Sequence, residues 1–565
     1  MHHSLAAHHL GRNPHIAISI GGRSKERRAT VASRNPFLAL GVLCLGFFMT
    51  LLDLTVVNIA IPSLSRSLGA TLDQVLWVIN AYTLVLAVLL ILAGRLGDRF
   101  GQRRLFVIGL AVFVLASAGC GIAQTIDQLI AFRALQGVGG ALLSPQTMAL
   151  LIEIFPPDRR GAAFGIWGAT AGLASVAGPA VGGLLISHFD WRWIFYVNVP
   201  LGVLAIVLTL WLVPAMRPGT RAGLDPVGVL LVSGGLVALL FGLTEGERYR
   251  WGVITAGITI DELITAGVVL LAAFVVWEWR RPGGLMPLHI FSDRNYSLMV
   301  LLGAIVSFAV IGFFLPLSIF LQSILGMSAL QAGLTVAPLS MTSMFAAPVA
   351  GHLADRYGAK YVLAVGVAAF GIGIALVAYA ISETATWSNL LVPMVLTGIG
   401  FGSTFAPMAG IAMRDVPYEL AGTASGVLNT IRQVGSALGG AIVGAVLQVR
   451  LSAGLRDHAA DSARQLPPAA RKPFQDAFAD LVRRGVEVGS TSLSTLPPDL
   501  PPDLRSQMLD LARQVFGRGY ADGLRGAYVV IVALMLVGAI ACVLVRQRSQ
   551  LRDATAPAPV VVGQA

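Results

Sequence analysis

The chain has 565 residues, of which 56% are hydrophobic and only 12% charged, with a mean hydropathy of +0.76. Soluble globular chains carry roughly a quarter of their residues as charged and under half as apolar, so a soluble enzyme, a coiled coil and a disordered regulator are excluded. The 40 Lys+Arg against 29 Asp+Glu give a formal charge of +11, which in a polytopic membrane chain belongs in basic loops rather than on nucleic acid.

Residues 1–36 are polar and hold His2, His3, His8, His9 and His15. No cysteine or carboxylate cluster joins these imidazoles, so the segment reads as a disordered cytoplasmic leader, or a start codon set too early, rather than a metal site. A membrane span needs about 20 apolar residues to cross a hydrocarbon core of roughly 30 Å. Fourteen apolar runs of that order follow, at 37–61, 74–94, 105–124, 129–151, 162–186, 193–213, 226–243, 262–278, 297–321, 331–350, 361–381, 389–412, 422–447 and 526–545. The first is too long and uninterrupted for a signal-peptide core and is read as a retained span. Residues 37–213 then form a six-span bundle, and 214–296 hold two inserted spans. Residues 297–449 carry spans 9–13, 526–545 the last span and 546–565 a tail.

Arg and Lys in the short loops set the orientation. One side collects Arg23, Lys25, Arg27, Arg28, Arg34, Arg95, Arg99, Arg103, Arg104, Arg159, Arg160 and further cations through Arg546, Arg548 and Arg552. The other side's short loops hold only Arg66, Arg192, Arg248 and Arg250, an asymmetry of about fivefold that places both termini in the cytoplasm. Residues 450–525 then fall outside the cell as a polar insert. Its LPPAARKP and LPPDLPPDL favour turns and extended structure, while 474–484 and 503–517 have helical apolar spacing. Those two stretches read either as a solvated face or as a lid or dock for an extracytoplasmic partner.

Span 2 ends in GRLGDRFGQRR (Gly94 to Arg104) and span 10 in GHLADRYGAK (Gly351 to Lys360), so Gly, Leu, Asp, Arg and Gly recur 257 residues apart. The repeat implies two homologous halves. In it, Gly94, Asp98, Arg99 and Gly101 correspond to Gly351, Asp355, Arg356 and Gly358. Glycine there allows a tight turn at the membrane surface, and each Asp-Arg pair is placed for a charge pair or helix-terminus contact that can form and break. Simple positive-inside decoration would not reproduce the Asp and both glycines in register.

These repeats resemble the loop signature of the major facilitator superfamily. LDLTVVNIAIP from Leu52, LIAFRALQGVGGA from Leu129, ASVAGPAVGG from Ala174 and WRWIFYVNVPLG from Trp191 are similar to signatures of its fourteen-span drug:proton antiporter branch. Ala174 stands where that branch usually has a glycine. The resemblance implies an all-α polytopic membrane protein: two six-helix bundles plus two inserted central spans, with 14 transmembrane helices. It also implies proton-driven export of amphipathic drugs, with the proton as coupling ion and no other cofactor.

The residues support that chemistry. Asp53 is an acid inside an apolar span and is costly unless used. Arg133 is the only cation well inside span 4 and stands at a similar depth, so the two can meet or share a water chain. An Asp alternating between an Arg-paired and a protonated state couples protons; a static structural pair is the other reading. Gly178, Pro179, Gly182 and Gly183 of span 5 suit close helix packing, which the resemblance links to sealing the cavity against proton leak. Asn58, Tyr82, Gln136, Gln146 and Arg432 are candidate cavity-lining residues, and Glu278 reads as interfacial. Cys44, Cys120 and Cys542 are scattered, and no catalytic motif, Walker loop or metal-ligand spacing occurs. The expected partners are amphipathic small molecules, protons and membrane lipids; a dedicated exporter of a lipid or secondary metabolite is the rival reading.

Overall fold

The computed structural model describes residues 35–546 apart from 157–158, 216–224, 247, 250, 256, 282–283 and 485–501. The expected leader and most of the tail lie outside the described residues. The helices are α1 (Pro36–Leu68), α2 (Leu72–Phe100), α3 (Gln102–Ile122), α4 (Ile126–Ile154) and α5 (Arg160–His188). Next come the short α6 (Trp193–Tyr196), α7 (Asn198–Leu212), α8 (Pro226–Glu245) and α9 (Ile260–Arg280). The second half has α10 (Arg294–Ile319), α11 (Ala329–Leu353), α12 (Ala359–Ala380), α13 (Trp387–Ala412), α14 (Ala421–Ala463), α15 (Pro468–Arg484) and α16 (Pro502–Leu544). A small antiparallel hairpin, β1 (Val253–Thr255) with β2 (Ile258–Thr259), joins α8 to α9.

All fourteen apolar runs fall on helices. Among the described residues, twelve helical runs have the length and hydropathy of a span. One of these, Leu330–Ala380, holds both α11 and α12.

Local chemistry starts and stops these helices. The Asn35 side chain accepts the Phe37 N–H (3.1 Å) with Pro36 at the first helical position. Thr71 with Gln74, and Ser328 with Gln331, form reciprocal capping boxes at the starts of α2 and α11. Gly101 and Gly358, the last glycines of the two loop signatures, stand at φ 98° and 97°, a backbone that side chains resist.

Packing repeats between the halves. In the first, α1 lies on α5 and α7, α3 on α4 and α7, and α2 on α4. In the second, α10 lies on α14 and α16, α12 on α13 and α16, and α11 on α13. The halves meet along two seams, α2 with α14 and α5 with α11. The inserted α8 and α9 pair with each other, and α8 also touches α2 and α14, so the insert covers the first seam.

In the segment 450–525 the two stretches with helical spacing, 474–484 and 503–517, lie on helices, and helix also replaces the turns expected around LPPAARKP. Helix α14 runs 43 residues to Ala463 and α16 runs 43 residues from Pro502, about 64 Å each, twice the hydrocarbon thickness. LPPAARKP opens α15, because Pro468 stands in the first turn where no N–H donor is needed. The stretch 503–517 is the start of α16, and most of LPPDLPPDL lies outside the described residues. Phe474, Phe478, Met508, Leu511 and Val515 are buried together, with the Phe478 ring 5.8 Å from that of Phe516. The extension is fastened to the second half: the Tyr520 hydroxyl donates to the Pro316 carbonyl (3.0 Å) and Arg518 pairs with Glu383 (2.9 Å).

Candidate functional site

Asp53 of α1 and Arg133 of α4 form a direct ion pair through Oδ2 and Nη1, both almost fully buried. Gln136 lies one turn beyond Arg133; its Oε1 accepts from Arg133 Nη1 (2.7 Å) and its Nε2 donates to Asp53 Oδ1 (2.8 Å). The same amide nitrogen donates to Ser117 Oγ of α3 (2.7 Å), and Asn198 Nδ2 of α7 reaches Asp53 Oδ1 (3.3 Å). Arg133 Nε donates to the Val78 carbonyl of α2 (2.9 Å), and its guanidinium lies 4.5 Å over the Tyr82 ring. Five helices therefore meet around the ion pair, with α1, α4 and α7 at the carboxylate itself and α2 and α3 at its partners. Tyr82 Oη, Arg133 Nη2 and Asn198 Oδ1 are buried without partners among the described residues, which leaves hydrogen-bonding capacity that the protein does not fill. A buried ion pair is held against desolvation only by such added bonds, and removal of one partner strands the other charge.

The second feature is a pair of helix caps across the seams. Asp98 Oδ1 accepts the Gly422 N–H (2.8 Å), and Oδ2 accepts the Thr423 N–H (2.8 Å) and its hydroxyl (2.6 Å). These are the free donors of the first turn of α14. Asp355 accepts the Gly161 and Ala162 N–H groups (2.9 and 2.8 Å) at the first turn of α5. Each carboxylate thus answers a helix N-terminus, with its partial positive charge, in the opposite half. The glycines permit the approach: a methyl on Gly94 would strike the Gly422 carbonyl, and one on Gly351 the Gly161 carbonyl. Arg99 and Arg356 take no part in the caps; their guanidinium groups lie 5.2 and 5.4 Å over the Phe100 and Tyr357 rings.

Several sequence expectations are placed differently. Gln136 and Tyr82 are fully buried in the Asp53 cluster rather than lining a cavity. Gln146 is also buried, and its Nε2 braces the Ala93 carbonyl of α2 (2.9 Å). Asn58 is exposed and donates to the Leu54 carbonyl of its own helix (3.0 Å). Gly178 and Gly182 face Thr55 and Val56 of α1, but nothing lies within 4 Å of a methyl on Gly183, which therefore adds no close packing. The side chain of Pro179 lies outside the described residues. Glu278 is buried rather than interfacial, because its Oε1 accepts the Leu285 N–H (2.8 Å) in the turn after α9. Beside it, Arg95 of α2 donates to the Gly284 carbonyl (2.8 Å). Arg432 faces α10 and α13, not a loop. Ser117 carries no sequence signal of its own; Asn198 and Phe195, whose ring lies 5.9 Å from the Arg133 guanidinium, both belong to the WRWIFYVNVPLG motif.

This two-half helical architecture, with repeated Asp-Arg loops and a charged pair inside the first bundle, defines a multi-pass membrane transporter. Residues 43–440 match the Major Facilitator Superfamily, and the chain belongs to that family; it is a transporter and not an enzyme. It is 38% identical to an uncharacterised MFS-type transporter of Mycobacterium tuberculosis, over 80% of this chain and 79% of that protein. It is 36% identical to the multidrug resistance protein Stp of the same species, over 75% and 78%. With the tetracenomycin C resistance and export protein of Streptomyces glaucescens it shares 34% identity, over 74% and 77%. The fold is similar to that of the proton:xylose symporter XylE bound to 6-bromo-6-deoxy-D-glucose, with a TM-score of 0.56 at 14% identity, covering 89% of this chain and 94% of that one.

Proposed function

We propose that the protein is a proton-coupled antiporter that exports amphipathic small molecules across a bacterial cytoplasmic membrane by alternating access. The observation that carries this reading is the buried Asp53–Arg133 pair with its ring of neutral amides and hydroxyls. A carboxylate there is stable either paired with Arg133 or protonated. Exchange between those states links a proton to rearrangement of the five helices that meet at it. The relatives named for multidrug resistance and for export of tetracenomycin C support the export direction. The basic loops support a cytoplasmic side for the caps of Asp98 and Asp355 and for both termini; in this reading the conformation described is closed toward the cytoplasm. The helical extension of α14, α15 and α16 then stands outside, where it is available to an extracytoplasmic partner. Protons and membrane lipids are the remaining partners in this reading.

The test uses purified protein in liposomes under an imposed pH gradient. Wild-type protein moves a fluorescent amphipathic dye against its gradient, and Asp53→Asn, a neutral isostere, abolishes that movement while inserting normally. Full uphill transport by Asp53→Asn rejects the coupling role. A second reading, a dedicated exporter of one secondary metabolite, is favoured by the relative named for tetracenomycin C export; resistance to a single compound across a broad panel would select it.

A further inference from the structure

Arg432 differs from the buried charges described above, because it is only half-buried. It stands eleven residues along α14 from Ala421, about 17 Å from the helix start, and so near the middle of the span. Its Nε donates to Ser307 Oγ of α10 (3.4 Å), and its Nη1 to Asn429 Oδ1 (3.3 Å) one turn back. Its guanidinium lies 4.7 Å over the Phe405 ring of α13, and its stem runs against Gly303, where a methyl would meet its Cγ at 3.2 Å. Every one of these neighbours is neutral. Among the described residues no carboxylate forms an ion pair with it, whereas Arg133 has Asp53. Both of its hydrogen bonds are long for a charged donor. They use two of the five N–H groups of the guanidinium, and the side chain retains partial exposure.

An arginine stays ionised at any working pH, and a charge at that depth is retained where it is paired or used. At mid-membrane the Asp53–Arg133 pair sums to zero, so Arg432 sets the sign of the net charge at that depth. We propose that Arg432, Asn429, Ser307 and Phe405 form a cargo subsite for the anionic group of an amphipathic aromatic molecule, a carboxylate or phenolate. The planar fork matches a carboxylate bidentately. Asn429 and Ser307 hold it loosely enough to be displaced, and the Phe405 face continues as a platform for the cargo's own ring. A cationic cargo meets like charge at the same place. This assignment of substrate class rests on the export reading above.

The test measures fluorescence polarisation of two dyes on one xanthene ring system, anionic fluorescein and cationic rhodamine 6G, with the full-length protein in detergent. Wild type binds fluorescein more tightly than rhodamine 6G. Arg432→Gln weakens fluorescein binding about tenfold or more and tightens rhodamine 6G. Asn429→Asp, which supplies a neighbouring carboxylate while keeping the guanidinium, shifts both dyes in the same directions. Arg432→Lys keeps the preference for fluorescein. Wild type that prefers rhodamine 6G, or binds neither dye, overturns the subsite. So does a variant pair, Arg432→Gln and Asn429→Asp, in which both dyes are lost by equal factors. Uphill transport under a pH gradient is read separately with Asp53→Asn, so failure of the subsite is distinct from failure of export.

Discussion

Asp98 and Asp355, 257 residues apart in the chain, do the same thing in opposite directions. Asp98, in the first half, caps the first turn of α14 in the second; Asp355, in the second half, caps the first turn of α5 in the first. Each cap can exist only while its seam is closed at that end. In the proposed alternating-access cycle, the two charge-assisted clasps favour the state closed at that end, and their loss would favour the opposite one.

Asp98→Asn removes the charge from one clasp, and hydrogen bonds to charged groups contribute about 1.5–3 kcal/mol. The open population at that end should rise roughly tenfold to a hundredfold. Spin labels at Arg104 and Tyr361, both exposed, report the separation by pulsed EPR. Asp98→Asn and Asp355→Asn should each lengthen the distance distribution, and an unchanged distribution would rule the clasp out.

Arg133→Gln leaves Asp53 buried without its cation and should cost about 3–5 kcal/mol, seen as a lower melting temperature in detergent. Asp53→Asn added to Arg133→Gln should recover most of that loss, because two neutral amides replace the stranded charge. Losses that simply add would show that the two side chains act independently.

Gly94→Val and Gly351→Val place carbon where the carbonyl oxygens of Gly422 and Gly161 now lie. Neither backbone can yield as a flexible side chain would, so each variant should be held open at that end and lose transport while remaining inserted. Gly183→Ala gives the contrast. With nothing within 4 Å of the new methyl, it should leave thermal stability unchanged or raise it by up to about 1 kcal/mol. A melting temperature lowered by Gly183→Ala would mean that α5 is more tightly enclosed there than described.

Asp461, near the end of α14, is 67% exposed, and the three native cysteines are buried. Asp461→Cys should react with a membrane-impermeant maleimide on intact cells, above a low background. Labelling only after lysis would reverse the topology and move both clasps to the outer face.

The internal repeat was legible because Gly, Asp and Gly are needed at fixed offsets by the turn itself. It also extends further than those residues. Gly69 and Gly326, both at positive φ, and the capping residues Thr71 and Ser328 obey the same offset of 257. These carry little signal in the sequence, because a Ser or Thr before a helix is common. The targets of Asp98 and Asp355 are backbone N–H groups, to which no residue type points. The Asp53–Arg133 encounter was readable from depth along two spans, but Ser117 and Asn198 come from helices whose rotation only packing decides. Gln146 and Glu278 were misplaced for a related reason: a polar side chain in an apolar run looks the same whether it faces a cavity or bonds a neighbouring backbone carbonyl or N–H.

The insert of α8 and α9 makes the two seams unequal toward the bilayer. Helix α2 is tied to it at both ends, by Asn80 to Glu245 (2.9 Å) and by Arg95 to the Gly284 carbonyl (2.8 Å), so the seam between α2 and α14 is shuttered from lipid. Among the described residues the seam between α5 and α11 has no such cover, and there Phe345 and Val349 are 64% and 58% exposed. The two seams therefore turn unlike faces to the bilayer: one is backed by a helical pair, while at the other lipid chains would touch α11 itself.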